Sequence, residues 1–411
     1  MRKRIIRRTA LALALMSALP AAAAKKSPED VCLNGGYAIV MEKCTGKAQK
    51  LSDYSHKSNV RIVPGSRIRF LPQTGPRANA FYLYFVRVPE FFTLTWLDEA
   101  GNALRTDEYG TENDPVYFNS LYIKEYGILI PEDAAGFEFV SGSDGFIAEL
   151  RLYATAEELP ATAERWQPSH EKADLLFLIA HPDDEHLMMG GIVPIYAGER
   201  GMKVQPVYLT ADLTRRKAEA LDGLWSNGQR NMPVFLDLID KKSDNLKKAL
   251  EIWERAGVDP LGMIVEQIRR FRPEVVVTHD AEGEYGHGAH RAAAYFLQLA
   301  AEQAADPAYY PESAEKYGAW QVKKVYLHLY GDAETQTVLP VDEPLAAFGG
   351  KTAFEMAQIG YEPHSGSQGE QWLKLLRSRE YDCSRYGLVT SAVGPDEAKN
   401  DFFEHLGGTD Q

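Results

Sequence analysis

Between about residue 28 and 155, apolar and polar positions alternate in short runs: Val60 to Phe70, Phe81 to Val88, Phe91 to Leu97, Phe137 to Val140 and Phe146 to Tyr153. Alternation with a period of two sends one side chain into a core and the next into water, so each run predicts a half-buried strand. Turn-forming residues separate the runs, among them Pro64-Gly65, Gly75-Pro76, Gly101-Asn102 and the stretch from Ser141 to Gly145. Short strands at this spacing predict a β-sandwich over 25–158. Exposed tyrosines on such strands offer stacking surfaces for sugars, against the plainer expectation that they fill the core. From Thr155 to Lys172 the alternation is lost and Pro160 and Pro168 appear, so 159–172 reads as a linker.

Beyond the linker the period changes. Leu175-Leu176-Phe177-Leu178-Ile179 and Val275-Val276-Val277-Thr278 are continuous apolar runs, the signature of strands buried on both faces. Strands are predicted at 174–180, 203–209, 274–279 and 323–329, with helices at 186–200, across 214–270 and at 288–303. Such alternation builds a parallel sheet with helices on both faces, here a Rossmann-like α/β domain over 173–411. The Pro- and Tyr-rich 305–320 stretch reads as a surface insertion.

The formal net charge of −13 argues against a nucleic-acid binder, which would carry a basic face. Residues 1–24 combine a basic start, Arg2 to Arg8, an apolar stretch from Thr9 to Leu19 and the run Ala21 to Ala24. That order describes a bacterial secretory signal peptide, and its apolar part is shorter than the ~20 residues of a membrane span. A secreted or periplasmic protein is expected, with no stable membrane span. In an oxidising compartment Cys32 and Cys44 are candidates for a disulfide, leaving Cys383 over. Oligomeric state is not legible in the sequence.

The candidate chemistry lies just past the two apolar runs, where open α/β sheets hold their ligands. The first run leads into His181-Pro182-Asp183-Asp184-Glu185, and the second leads through His279-Asp280 and Gly283-Glu284-Tyr285-Gly286 to His287-Gly288-Ala289-His290. A catalytic zinc takes three His or carboxylate ligands and keeps a position open, and His181, Asp184 and His290 supply that set. Asp183, between two ligands, is placed as general base. His287, one helical step from His290, is placed to stabilise an oxyanion or protonate a leaving amine. His and carboxylate donors suit Zn2+ and also Fe2+.

These two motifs resemble the PIG-L/LmbE family of zinc-dependent N-deacetylases, strongly over about 170–300. The resemblance implies zinc on His181, Asp184 and His290, Asp183 as base, His287 as acid and Tyr285 as a mobile transition-state contact. It further implies an N-acetylated amino sugar or glycan as substrate. Arg216, in an Arg-x-x-Glu helix start with Glu219, matches a substrate-contacting arginine, with a surface ion pair as the competing reading. Asp212, in Thr210-Ala211-Asp212 at the end of the second strand, is a candidate for sugar hydroxyls. His364 falls in a segment resembling a family His-x-Ser/Thr-Gln pattern with one extra residue, and receives no role. Many relatives carry Pro-Asp or Pro-Asn where this chain has Gly288-Ala289. The closing strand Phe146 to Tyr153 resembles the last strand of galactose-binding-like jelly rolls. The rival expectations are an amidase of a larger amide conjugate and a non-catalytic glycan-binding protein.

Overall fold

The computed structural model describes residues 36–407 except 74, 112–113, 115–121, 212 and 379. The leader, Cys32 with its proposed bridge to Cys44, and Asp212 lie outside the described residues.

Among the described residues the first half forms nine strands: β1 (Tyr37–Glu42), β2 (Val60–Ile62), β3 (Arg67–Pro72), β4 (Ala80–Arg87), β5 (Phe92–Leu97), β6 (Ala103–Tyr109), β7 (Glu125–Leu129), β8 (Gly136–Ser141) and β9 (Gly145–Tyr153). They make two antiparallel sheets, ordered β1-β3-β8-β5-β6 and β2-β9-β4-β7. The sheets meet through aromatic rings, Phe81 of β4 stacking on Phe137 of β8 with centroids 4.4 Å apart. Pro64-Gly65 breaks the expected 60–70 strand into two that belong to different sheets, because the turn there reverses the chain. Tyr82, Tyr109, Tyr126 and Tyr153 are buried, so these tyrosines fill the core and offer no stacking surface to a sugar.

The second half contributes β10 (Leu175–Ile179), β11 (Val204–Tyr208), β12 (Val234–Phe235), β13 (Val275–Thr278), β14 (Lys324–His328), β15 (Thr337–Val338) and β16 (Arg385–Ser391). Its helices are α1 (Asp184–Leu187), α2 (Thr214–Ser226), α3 (Leu246–Arg255), α4 (Pro260–Phe271), α5 (Gly288–Gln303), α6 (Pro311–Tyr317) and α7 (Ala353–Gln368). The strands form one mixed sheet, β12-β11-β10-β13-β14-β16-β15, in which the first five are parallel and β16 runs antiparallel to both its neighbours, β14 and β15. Leu175, Phe177 and Ile179 enter one apolar cluster with α2 and α7, whereas Leu176 and Leu178 enter another with α3, α4 and α5. The period of two along β10 therefore requires cover on both faces, which explains its unbroken hydrophobicity.

The chain leaves β10 for β11 on one side and later reaches β13 on the other. The crevice between β10 and β13 is thus a switch point, where two diverging loops leave room for a ligand. Helix 186–200 is not continuous: α1 is a single turn, followed across Gly190-Gly191 by a π-helical segment, Val193–Glu199. A Cβ on Gly190 would lie 2.6 Å from that of Ala357, so α7 sits where a side chain would otherwise stand. The 305–320 stretch holds α6. Arg269, fully buried, donates to the carbonyls of Gln303, Ala304, Asp306, Tyr309 and Tyr310 and so fixes the chain leading into that helix.

The 159–172 segment is packed against both halves. Glu164 bridges β7 at Tyr126, Gln167 bridges Asn231, and buried Trp166 meets Trp225 of α2 edge-on at 5.5 Å. Among the described residues no helix is long and apolar enough to cross a membrane.

Candidate metal centre

The loop after β10 and the loop after β13 bring His181, Asp184 and His290 together from 109 residues apart. His181 Nδ1 lies 3.2 Å from Asp184 Oδ2 and 3.2 Å from His290 Nε2, and the third side of the triangle, His290 Nε2 to Asp184 Oδ2, is 3.3 Å. Bonds of about 2.0–2.1 Å at tetrahedral angles place ligand atoms ~3.3 Å apart, so the triangle has the size a zinc ion requires. All three side chains are buried. Burial alone would strip His290 of its proton, yet Asp184 and Glu284 push it up to about 10; His290, with His181 and His279, in turn holds Asp184 well below the ordinary carboxylate range against its burial. The donors thus carry a charge arrangement that a cation can replace.

Glu284, which received no role from the sequence, organises the centre. Its Oε2 accepts from Nδ1 of His290 at 2.6 Å and Nδ1 of His279 at 2.9 Å; its Oε1 faces Nδ1 of His328 at 2.6 Å and the Asp280 N–H at 3.2 Å. A carboxylate behind a ligand imidazole fixes its tautomer and leaves the other nitrogen free for the metal. His279 is not a ligand by the same logic. Its Nε2 accepts the Ala180 N–H at 2.9 Å, tying the start of the His181 loop to β13. On the other side Asp240 Oδ2 lies 3.4 Å from His181 Nε2.

Asp183 sits at φ +125°, a conformation side chains avoid, and its N–H is held by Glu185 Oε2 at 2.7 Å. Burial and the adjacent Asp184 raise its carboxyl to about 7 against the opposing Arg216. Arg216 is where sequence alone left two readings open: its Nη2 lies 3.0 Å from Asp183 Oδ2 and it donates to the Pro182 carbonyl. Glu219 pairs instead with Arg215, at 2.7 Å. Thr210 donates to the Ala180 carbonyl at 2.7 Å, which makes it a brace between strands and not a sugar contact.

His287 caps α5, its Nδ1 accepting the Ala289 N–H at 3.2 Å. A neutral ring then carries its proton on Nε2. Burial beside His181 and His290 lowers it to about 4, so the ring is neutral near pH 7. Tyr285, at φ +45°, brings its hydroxyl 3.4 Å from His290 Nε2 while its ring is 47% exposed. Gly288 leaves room for the neighbouring loop. A Cβ would fall 1.9 Å from Ser243 Oγ, displacing the loop that carries Asp240.

His181, Asp183, Asp184, Arg216, Tyr285 and His287 line a cleft of about 150 Å³ together with Leu187, Met188, Asp240, Gln368 and Trp372. A larger hollow of about 570 Å³ lies between α4 and α6, but no imidazole lines it and it lacks a converging donor set. Sequence reasoning missed Glu284, His279, His328, Asp240 and Trp372. For the first three the signal was position, because each lies at or just past the carboxyl end of a parallel strand.

An α/β sheet whose central strand ends converge on a buried His and Asp donor set defines the class of the second half. Residues 176–301 match the family model described as PIG-L: GlcNAc-PI de-N-acetylase. A 1D-myo-inositol 2-acetamido-2-deoxy-alpha-D-glucopyranoside deacetylase 1 from Catenulispora acidiphila is 34% identical over 180 residues, covering 37% of this chain and 54% of that protein. A deacetylase of the same description from Geodermatophilus obscurus is 48% identical over 179 residues, 37% of this chain and 60% of that protein. The chain therefore spans little more than half the length of these curated relatives. An N,N'-diacetylchitobiose deacetylase from Pyrococcus horikoshii aligns at 14% identity and a TM-score of 0.33, over 55% of this chain and 86% of that one.

Proposed function

We propose that this chain is an exported, metal-dependent hydrolase that removes the acetyl group from an N-acetylated amino sugar or glycan. The observation that carries the reading is the His181, Asp184 and His290 triangle, sized for a tetrahedral ion, with a carboxyl poised near neutrality directly beside it. The relatives' activity on acetamido sugars supports the substrate class, and the basic, apolar and alanine-rich order of residues 1–24 supports export.

His181, Asp184 and His290 would hold zinc, which when bound supplies Lewis acidity toward an acetamide carbonyl and acidifies a water. Asp183 takes the proton of the attacking water, and its raised pKa matches that duty near pH 7. Arg216 holds the Asp183 carboxylate in one orientation. The neutral Nε2–H of His287 donates to the oxyanion of the tetrahedral intermediate, with the Tyr285 hydroxyl beside it. As that intermediate collapses, Asp183 passes the proton it received to the departing nitrogen, so the C–N bond breaks to give a free amine and acetic acid, which ionises to acetate. Trp372, whose ring lies 5.9 Å from that of Tyr285, gives the cleft mouth an aromatic wall of the kind that sugar faces stack on.

Acetate release from monomeric and polymeric N-acetylhexosamines, measured beside a set of larger amide conjugates, tests the proposal. His181→Ala and His290→Ala are expected to lose metal and activity together. Hydrolysis confined to the larger amides would replace the deacetylase reading with an amidase, and metal without any hydrolysis would leave a binding protein.

A further inference from the structure

One residue past the ligand Asp184, a second donor set converges inside the protein. Glu185 and His186 of α1 and His364 of α7 are all buried. Glu185 Oε1 lies 3.5 Å from His186 Nε2 and 3.4 Å from His364 Nε2. Among the described residues none of these three atoms has a hydrogen-bond partner of acceptable geometry. Buried polar atoms are almost always paired, so three that converge call for a common occupant.

The surroundings of His186 favour a cation. Its Nδ1 faces the Asn227 side-chain amide nitrogen at 3.0 Å, and Asn227 Oδ1 is left without a partner. Half a turn of that amide presents Oδ1 to an Nδ1–H and satisfies the orphaned oxygen. His186 Nε2 then carries a bare lone pair toward the Glu185 carboxylate, and two such electron-rich atoms repel unless positive charge lies between them. Their separations are again close to the ~3.3 Å of donors on a tetrahedral zinc. Glu219 Oε2, which accepts from Ser367 Oγ, lies 3.8 Å from His364 Nδ1, beyond hydrogen-bond reach. Two glycines admit the His186 ring to this position: a Cβ on Gly223 of α2 would fall 2.4 Å from His186 Nε2, and one on Gly360 of α7 would fall 2.3 Å from its Cε1.

We propose that Glu185, His186 and His364 bind a second, structural zinc ion, separate from the His181, Asp184 and His290 set. The ion would tie α1 to α7. Because Glu185 Oε2 holds the Asp183 N–H, it would also anchor the strained residue proposed as base. Nothing in this inference depends on the substrate.

The test is zinc content and location in the full-length protein, loaded with zinc and dialysed. Two zinc ions per chain are expected in the unsubstituted protein, and one in either His290→Ala or His364→Ala. A zinc-edge anomalous map of unsubstituted crystals should show two peaks, one at Asp184 and one at Glu185, and this measurement does not depend on a variant folding. A single zinc, with its one peak at Asp184, overturns the second site and leaves the deacetylase reading intact. A single peak at Glu185 upholds the second site and removes the proposed active-site ligands instead.

Discussion

Replacing Glu284 by glutamine isolates the contribution of the carboxylate that stands behind the metal triangle. The carboxylate serves four donors, the Nδ1 atoms of His279, His290 and His328 and the Asp280 N–H. An amide has one accepting end. If its oxygen faces His279 and His290, its NH2 group opposes His328 Nδ1, whose other nitrogen already faces the Asp382 carbonyl at 3.0 Å. If the amide faces the other way, its NH2 opposes the nitrogen that fixes the tautomer of His290. Either orientation breaks at least one charge-assisted hydrogen bond inside a fully buried site, a loss of about 1.5–3 kcal/mol. Expressed as metal affinity this is ~10- to 100-fold, the range found for outer partners of metal ligands. Competition against a chelator of known affinity measures it, with far-UV circular dichroism confirming the fold. Zinc affinity within twofold of the unsubstituted protein would refute the assignment of Glu284 as the residue that positions His290.

Asp183→Asn should keep its metal and lose ~10²- to 10⁴-fold in turnover, since the amide preserves shape but accepts no proton; near-normal turnover in an acetate-release assay would move the base elsewhere. Glu164 and Asp222 form a hydrogen-bonded carboxyl pair where the 159–172 segment meets α2, and burial, with Asp222 next, raises Glu164 well above the ordinary range. A raised carboxyl pKa means that the folded state binds the proton more tightly. Its stabilising effect is therefore complete below the unfolded value of about 4 and is lost as pH rises toward the folded value. Glu164→Gln, which carries its N–H at every pH, should thus gain in melting temperature relative to the unsubstituted protein as pH increases, and parallel profiles would refute the shared proton. Trp166→Ala should cost about 3–5 kcal/mol in denaturant unfolding, because its ring is buried against Trp225 across the junction; a cost below about 1 kcal/mol would mean that the two halves do not stabilise each other.

What could be read from the sequence was whatever depends on near neighbours in the chain. The unbroken apolar runs at 175–179 and 275–278 announced strands buried on both faces, and the chemistry-bearing residues directly after them had to emerge at strand ends. His181, Asp183 and Asp184 could be selected on that ground because they lie within five residues of Ile179, whereas His287 and His290, nine and twelve residues past Thr278, stand out by their own three-residue spacing and the family resemblance. The same locality explains the errors. A continuous pattern over 186–200 concealed the break at Gly190-Gly191, where Ala357 of α7 packs against Gly190 and the local sequence shows no more than two glycines.

Only the tertiary structure decided the partnerships. Glu284 meets His328 because β14 lies beside β13, and 44 residues of intervening chain carry no record of that adjacency. Arg216 of α2 faces Asp183, in the loop after β10, and leaves Glu219 to Arg215. Asp240 reaches His181 only because Gly288 admits the 243–245 loop. Hydrophobic period is a property of a segment and is written in it. Which buried charge answers which is set by strand order and helix approach, and those are fixed by the burial of the whole sheet at once.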